Sequence, residues 1–198
     1  MRIFAMEHSR LAYGADFVLY AGSVLAMLAF LLMWGPLAEQ WPGIAGFTVL
    51  GLASWSAIEY ALHRFVLHGL QPFRRWHEDH HRRPQALICT PTVLSGTLIA
   101  GLVFLPALLL GDLWRACGLT LGLLIGYLGY AVTHHAIHHW HADRGWLRRR
   151  QRWHARHHHL GRPGCYGVSS AFWDHLLDSI CQPGAPRPHP KPSPHQEP

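Results

Sequence analysis

Charge is scarce in this chain and lysine is almost missing: of 198 residues only 14% are Asp, Glu, Lys or Arg, and Lys191 is the single lysine. With 49% hydrophobic residues beside it, so little charge excludes a disordered chain and an ordinary charge-coated soluble domain. The four cysteines, Cys89, Cys117, Cys165 and Cys181, show no CxxC or CxxCH spacing, and free thiols are expected rather than disulfide staples. GxSxG, Walker and GxGxxG sequences are all missing, so serine hydrolysis, P-loop nucleotide chemistry and dinucleotide-bound redox have no starting point. The first apolar stretch runs to spanning length with no small-residue cleavage site after it, so no cleavable signal peptide is expected.

What the chain does have is partitioned. Four apolar runs, about 15–34, 44–62, 92–110 and 116–133, each reach about 27–30 Å as helices, enough to cross a hydrocarbon core of about 30 Å. They pair as two hairpins through short turns at 35–43 and 111–114, which puts both turns on one side of the membrane. The other polar segments, residues 1–14, 63–91 and everything after 134, share the opposite side and hold nearly all the arginines, whereas the turn side holds only Arg115, just after the second turn. By the positive-inside rule both termini are cytoplasmic, and a bacterial inner membrane is the expected location. The net charge of +6 is then juxtamembrane charge facing anionic lipid, and nucleic acid is not a partner. The fold class is all-α: one membrane domain over 1–181, four spans in two hairpins, with a cytoplasmic helical cap. The proline-rich stretch 182–198 buries no core and reads as a disordered tail.

The chain also carries 18 histidines, ten of them in four clusters: His63 and His68; His77, His80 and His81; His134 and His138; His154, His157 and His158. On a helix, positions i+3 and i+4 lie about −60° and +40° from position i, so each HxxHH presents three imidazoles from one face. His63 and His68, five apart and about 140° out of phase, cannot meet on a straight α-helix, and Gly69 suggests a bend or an end there. Ten imidazoles in a 2, 3, 2, 3 order exceed one tetrahedral zinc and suit two ions of higher coordination. All four clusters follow the cytoplasmic end of a span, so folding the hairpins brings them to one level. All-nitrogen ligation beside lipid points to iron and dioxygen, because a hydrolytic zinc keeps three ligands and an open water position with a carboxylate base.

The strings E59-Y-A-L-H63-R-F-V-L-H68, W76-H77-E-D-H80-H81-R-R-P84, T133-H134-H-A-I-H138-H139 and W153-H154-A-R-H157-H158, followed by G167-V-S-S170 and F172-W173-D174, resemble the fatty acid hydroxylase superfamily. The resemblance implies a di-iron centre held by those ten histidines on the cytosolic face of a four-helix bundle, with zinc able to substitute in purified protein. It also implies O2 and two electrons per turnover. GVSS followed by FWD resembles the fatty acid 2-hydroxylases; carotenoid β-ring hydroxylation and sterol-type desaturation or oxidation within the superfamily are the alternatives. With no fused cytochrome domain in view, electrons are expected from a separate ferredoxin or cytochrome b5 with its reductase, docked on Arg148, Arg149, Arg150 and Arg152 unless these contact lipid headgroups. Glu59, a costly carboxylate in an apolar span, is a candidate to orient a ligand imidazole, and Asp174 and His139 are further candidates. A non-enzymatic metal transporter or sensor is the competing class, but it needs polar residues deep in the spans, and the midplanes are bare.

Overall fold

Each apolar run becomes helical, and three of the four helices extend past the run that predicts them. The computed structural model describes residues 7–159 and 163–181, so the proline-rich 182–198 lies outside the described residues. Ser9 accepts a hydrogen bond from the Ala12 amide and caps α1, Arg10–Trp34. Helix α2, Trp41–Ala61, runs on through a π-helical turn at Leu62–Leu67, and α3, Phe73–Arg82, lies beyond it. The third span is α4, Thr92–Ile99, a π-helical stretch at Ala100–Phe104, and α5, Leu105–Leu110. Asp112 caps α6, Leu113–His139. The chain continues with α7, Gly145–His159, and the short α8, Phe172–Leu176. Among the described residues there is no strand, only a single bridge between Glu7 and Ile88.

The spans expected from hydropathy lie inside these helices, and the overshoot positions the site. Helix α6 has 27 residues, about 40 Å at 1.5 Å per residue, so its last turns project beyond the hydrocarbon and carry His134 and His138. The π turn extends α2 in the same way to His63 and His68.

Helix α6 is the central one: half of its apolar stretch is buried, against 6–17% in the other three spans. Glycine makes this possible. A Cβ on Gly122 would stand 1.9 Å from the Thr48 carbonyl, one on Gly51 2.0 Å from the Leu119 carbonyl, and one on Gly126 2.5 Å from Cβ of Trp55. Small residues therefore let the α2 and α6 backbones touch where lipid supplies no hydrophobic drive. Tyr20, Trp55, Leu123, Leu124 and Tyr127 fill one core cluster and Leu31, Ile44, Cys117 and Leu121 another. Phe30 of α1 stacks on Trp114 of α6 at 5.9 Å, which puts both hairpin turns at one end of the bundle. Tyr13 of α1 meets His135 of α6 at 3.2 Å, so the helix ends bearing the histidines gather at the other. Leu11, Val18, Leu102, Leu109 and Leu110 stand 71–90% exposed on the spans, as a lipid-facing surface requires.

One expectation is overturned. Cys165 and Cys181 form a disulfide while Cys89 and Cys117 stay free. Sixteen residues separate the pair, so no short spacing motif announces it; the fold of the 163–181 segment brings the two together.

Candidate metal centre

All ten clustered histidines come together at the end of the bundle opposite the hairpin turns. The ring nitrogens of His63, His68, His77, His81 and His157 lie within 4.8 Å of one another, and those of His80, His134, His138 and His154 form a second such group. His158 joins the second group, its Nε2 3.0 Å from Nε2 of His154. It also stacks on His81, ring centres 4.1 Å apart, and so links the groups.

The HxxHH triplets do not each serve one group. On α3, His77 and His81 face the first group while His80 faces the second; on α7, His157 goes to the first and His154 and His158 to the second. Positions i and i+4 lie closer in azimuth than i and i+3, so the triplet's spread is used to straddle two centres. The His63 and His68 pair is brought into phase by the π turn. Its i to i+5 hydrogen bond, His68 N–H to the His63 carbonyl at 3.2 Å, makes residues five apart the near-aligned pair, as i and i+4 are in an α-helix. Their rings sit 5.2 Å apart.

The ring tautomers follow from their partners. His63 Nδ1 lies 2.5 Å from the Tyr166 carbonyl and His157 Nδ1 2.8 Å from the Gly164 carbonyl. A carbonyl only accepts, so both Nδ1 atoms carry hydrogen and both Nε2 atoms of the neutral rings present lone pairs. Those Nε2 atoms are aimed at Nε2 of His77, at 3.0 Å, and of His68, at 3.1 Å. His138 Nε2 likewise stands 3.0 Å from His154 and 3.2 Å from His134. His80 buries both ring nitrogens without a hydrogen bond, a costly state unless something binds there. Converging lone pairs and an orphaned buried imidazole are what metal cations satisfy, and these donor sets can hold two.

Burial, reinforced by neighbouring imidazoles, keeps the rings neutral as ligands must be. It lowers His68 and His80 to about 4 and His81 to about 3, and holds His77 and His154 well below the ordinary histidine value. His77, Glu78 and His81 also spell the HExxH of metalloproteases. Glu78, however, is 43% exposed and tied to Arg74 at 2.9 Å, so it does not serve the imidazoles as a hydrolytic base.

The two carboxylates expected to orient imidazoles act one step further out. Glu59 is 4% exposed and hydrogen-bonds to no histidine among the described residues; its Oε1 accepts the Val168 and Ser169 amides at 2.8 and 2.9 Å, and its Oε2 the Ser169 hydroxyl. Fully buried Asp174 accepts the Tyr166 and Gly167 amides at 2.9 and 2.8 Å and the Ser179 hydroxyl at 2.8 Å. Both clamp the loop whose carbonyls hold His63 and His157. The GVSS sequence thereby gains a local reason: Ser169 supplies two donors to Glu59, and a Cβ on Gly167 would collide with the Ser170 carbonyl at 1.9 Å. Arg150, expected in the docking patch, is instead buried; it donates to the Val168 and Gly167 carbonyls at 2.9 and 2.8 Å. Arg148, Arg149 and Arg152 remain exposed. His139 is exposed and stacks on His135, 4.5 Å between ring centres, outside both imidazole groups. The carbonyls of Tyr166 and Gly164 carry no side-chain signature, so sequence reasoning had no means of finding them.

Comparison with known proteins agrees with this geometry. Residues 48–179 match the family model for fatty acid hydroxylases. A dihydroceramide fatty acyl 2-hydroxylase of Arabidopsis thaliana is 28% identical over 160 residues, covering 70% of this chain and 62% of the relative. A fatty acid 2-hydroxylase of Macaca fascicularis is 31% identical over 150 residues, covering 68% and 39%. This chain thus spans between about two fifths and three fifths of these relatives' length. A solved structure of full-length scs7p, in which only the hydroxylase domain is visible, superposes with a TM-score of 0.74 over 91% of this chain and 70% of that one, at 22% identity, and so shares the fold. The chain belongs to the fatty acid hydroxylase family.

Proposed function

We propose that this protein is a membrane-bound, O2-dependent hydroxylase of lipid acyl chains acting at the carbon next to the carbonyl, as the names of its relatives describe for those proteins. The observation that carries this reading is the pair of interleaved imidazole groups, buried or half-buried where the lipid-exposed spans end. His63, His68, His77, His81 and His157 would hold one ion, and His80, His134, His138, His154 and His158 the other. Iron in both positions would supply the dioxygen reduction and C–H oxidation that hydroxylation needs, and zinc would fit the same nitrogen donors.

The chain's own work is positional. The Tyr166 and Gly164 carbonyls fix the His63 and His157 rings, while Glu59, Asp174 and Arg150 fix the loop that bears those carbonyls. Burial excludes water, and the apolar spans guide the acyl chain laterally from the bilayer. The balance is one methylene C–H, one O2, two electrons and two protons giving a C–OH and one water. The electrons come from a separate ferredoxin or cytochrome b5 with its reductase, attracted by Arg148, Arg149 and Arg152. The arginine distribution favours a cytoplasmic site with both termini on that side. The relatives are a plant and a primate protein, so they lend no support to the bacterial inner membrane expected above.

The test is lipid mass spectrometry of a host expressing the wild type against His154→Ala with His157→Ala, each supplied with a reductase system. Acyl chains heavier by one oxygen only with the wild type support the proposal. The same gain in carotenoids transfers the activity to the β-ring hydroxylases, and identical lipidomes with iron bound would remove hydroxylation of these lipids.

A further inference from the structure

Beside the histidines lies a polar wall that metal binding does not use. A cavity of about 90 Å3 is lined by His77 and His80 of α3 and His134 of α6, and also by Tyr13 and Asp16 of α1. Asp16 is the only acidic residue of α1 and is 6% exposed. A carboxylate in a membrane span is expensive and calls for a reason. One partner is visible: the Thr92 hydroxyl donates to its Oδ1 at 2.5 Å and ties α1 to α4. That tie does not require a charge, because one turn further on Tyr20 and Ser95 join the same two helices at 2.6 Å with neutral hydroxyls. Among the described residues Thr92 is the only hydrogen-bond donor to this carboxylate, which leaves its second oxygen for a ligand in the cavity.

A carboxylate is acceptor-only, so its complement is an N–H or O–H and never another carboxylate. Resting on the function proposed above, oxygen insertion beside the carbonyl places whatever is attached to the other side of that carbonyl within three bonds of the reacting methylene. We propose that Asp16 is a substrate-binding residue that accepts a hydrogen bond from a donor attached to the acyl carbonyl, an amide N–H, and so fixes which methylene faces the histidines. Acyl esters, which lack the donor, and free fatty acids, which bring a like charge, are disfavoured by the same group.

The experiment compares two probes on the metal-loaded protein in detergent, an N-acyl amino alcohol and the methyl ester of the same fatty acid, by equilibrium binding and by the position of any hydroxyl formed. The wild type is expected to bind the amide about 10- to 100-fold more tightly, the range of a hydrogen bond to a charged group. In Asp16→Asn, Oδ1 still receives Thr92, but the amide nitrogen presents a donor to the cavity. Metal content should stay at the wild-type level, the preference for the amide should vanish, and the hydroxyl position should scatter. Thr92→Val, which loses the tie but keeps the carboxylate, should retain the preference. Equal binding of the two probes by the wild type, or an unchanged preference in Asp16→Asn, overturns the assignment. If the wild type prefers the amide yet inserts no oxygen into it, the hydroxylase reading fails while Asp16 keeps its place.

Discussion

Asp174→Asn and Glu59→Gln are both single-atom changes to buried carboxylates that clamp the same loop, yet the geometry gives them different outcomes. Glu59 uses Oε1 for both backbone amides and Oε2 only for the Ser169 hydroxyl. Glutamine keeps Oε1, and its new N–H can donate to a hydroxyl that rotates to accept, so the loss is the charge enhancement of two hydrogen bonds, about 1 kcal/mol. Asp174 divides its work: Oδ1 takes the Tyr166 amide and the Ser179 hydroxyl while Oδ2 takes the Gly167 amide. Whichever way asparagine is placed, its NH2 meets a buried backbone N–H. One donor is left unsatisfied and another pushed away, about 2–4 kcal/mol in all. The Tyr166 carbonyl then loses its anchor and His63 its orientation, and losing such an outer partner costs about 10–100-fold in metal affinity. Melting of the detergent-solubilised proteins and titration of their metal content read both effects. Asp174→Asn should be the less stable and the leakier of the two; if it matched Glu59→Gln in both respects, the loop-clamp reasoning would be refuted.

Other perturbations follow from the same geometry. Gly122→Ala puts a Cβ 1.9 Å from the Thr48 carbonyl and should force α2 and α6 apart at about 1–3 kcal/mol, whereas Gly129→Ala, with nothing within 4 Å of its Cβ, should be neutral or gain up to about 1 kcal/mol in helix propensity; their melting midpoints decide. Metal-free protein should lose stability as pH falls from about 6.5 toward 4. His68, His80 and His81 titrate at about 4, 4 and 3 when folded, so over that window the unfolded chain binds more protons, and above 7 the curve should be flat. A melting midpoint that rose on acidification would contradict the assignment. Reversing Arg148, Arg149 and Arg152 to Glu should slow association with an acidic electron carrier and flatten its salt dependence, while Arg150→Ala should instead destabilise the fold by removing two buried hydrogen bonds; stopped-flow association rates and melting separate the two classes.

The spans and the ten histidines were legible because bilayer thickness and helical periodicity impose strong one-dimensional patterns, and the family resemblance rests on those histidine strings. What the sequence did not reveal depends on contacts across the chain. The division of each HxxHH between two groups needs α3 and α7 to be placed against each other. The phasing of His63 with His68 needs a π turn, which no residue type encodes, although Gly69 hinted at irregularity. Glu59 was recognisable as a carboxylate too costly to be idle, but its partners lie 109 and 110 residues away. Arg150 looked like its exposed neighbours until the 167–168 carbonyls closed over it, and Cys165 finds Cys181 only through that same loop.

The central claim is that ten imidazoles form two metal positions rather than a cluster of buried, unoccupied bases. It is tested most directly by counting metal per chain in protein purified from iron-supplied cells, for the wild type and for His157→Ala and His80→Ala, which belong to different groups. Two ions per chain in the wild type, with each variant losing occupancy chiefly in one position, is the predicted result. A wild type that carries no metal, or one ion lost equally in both variants, would contradict it.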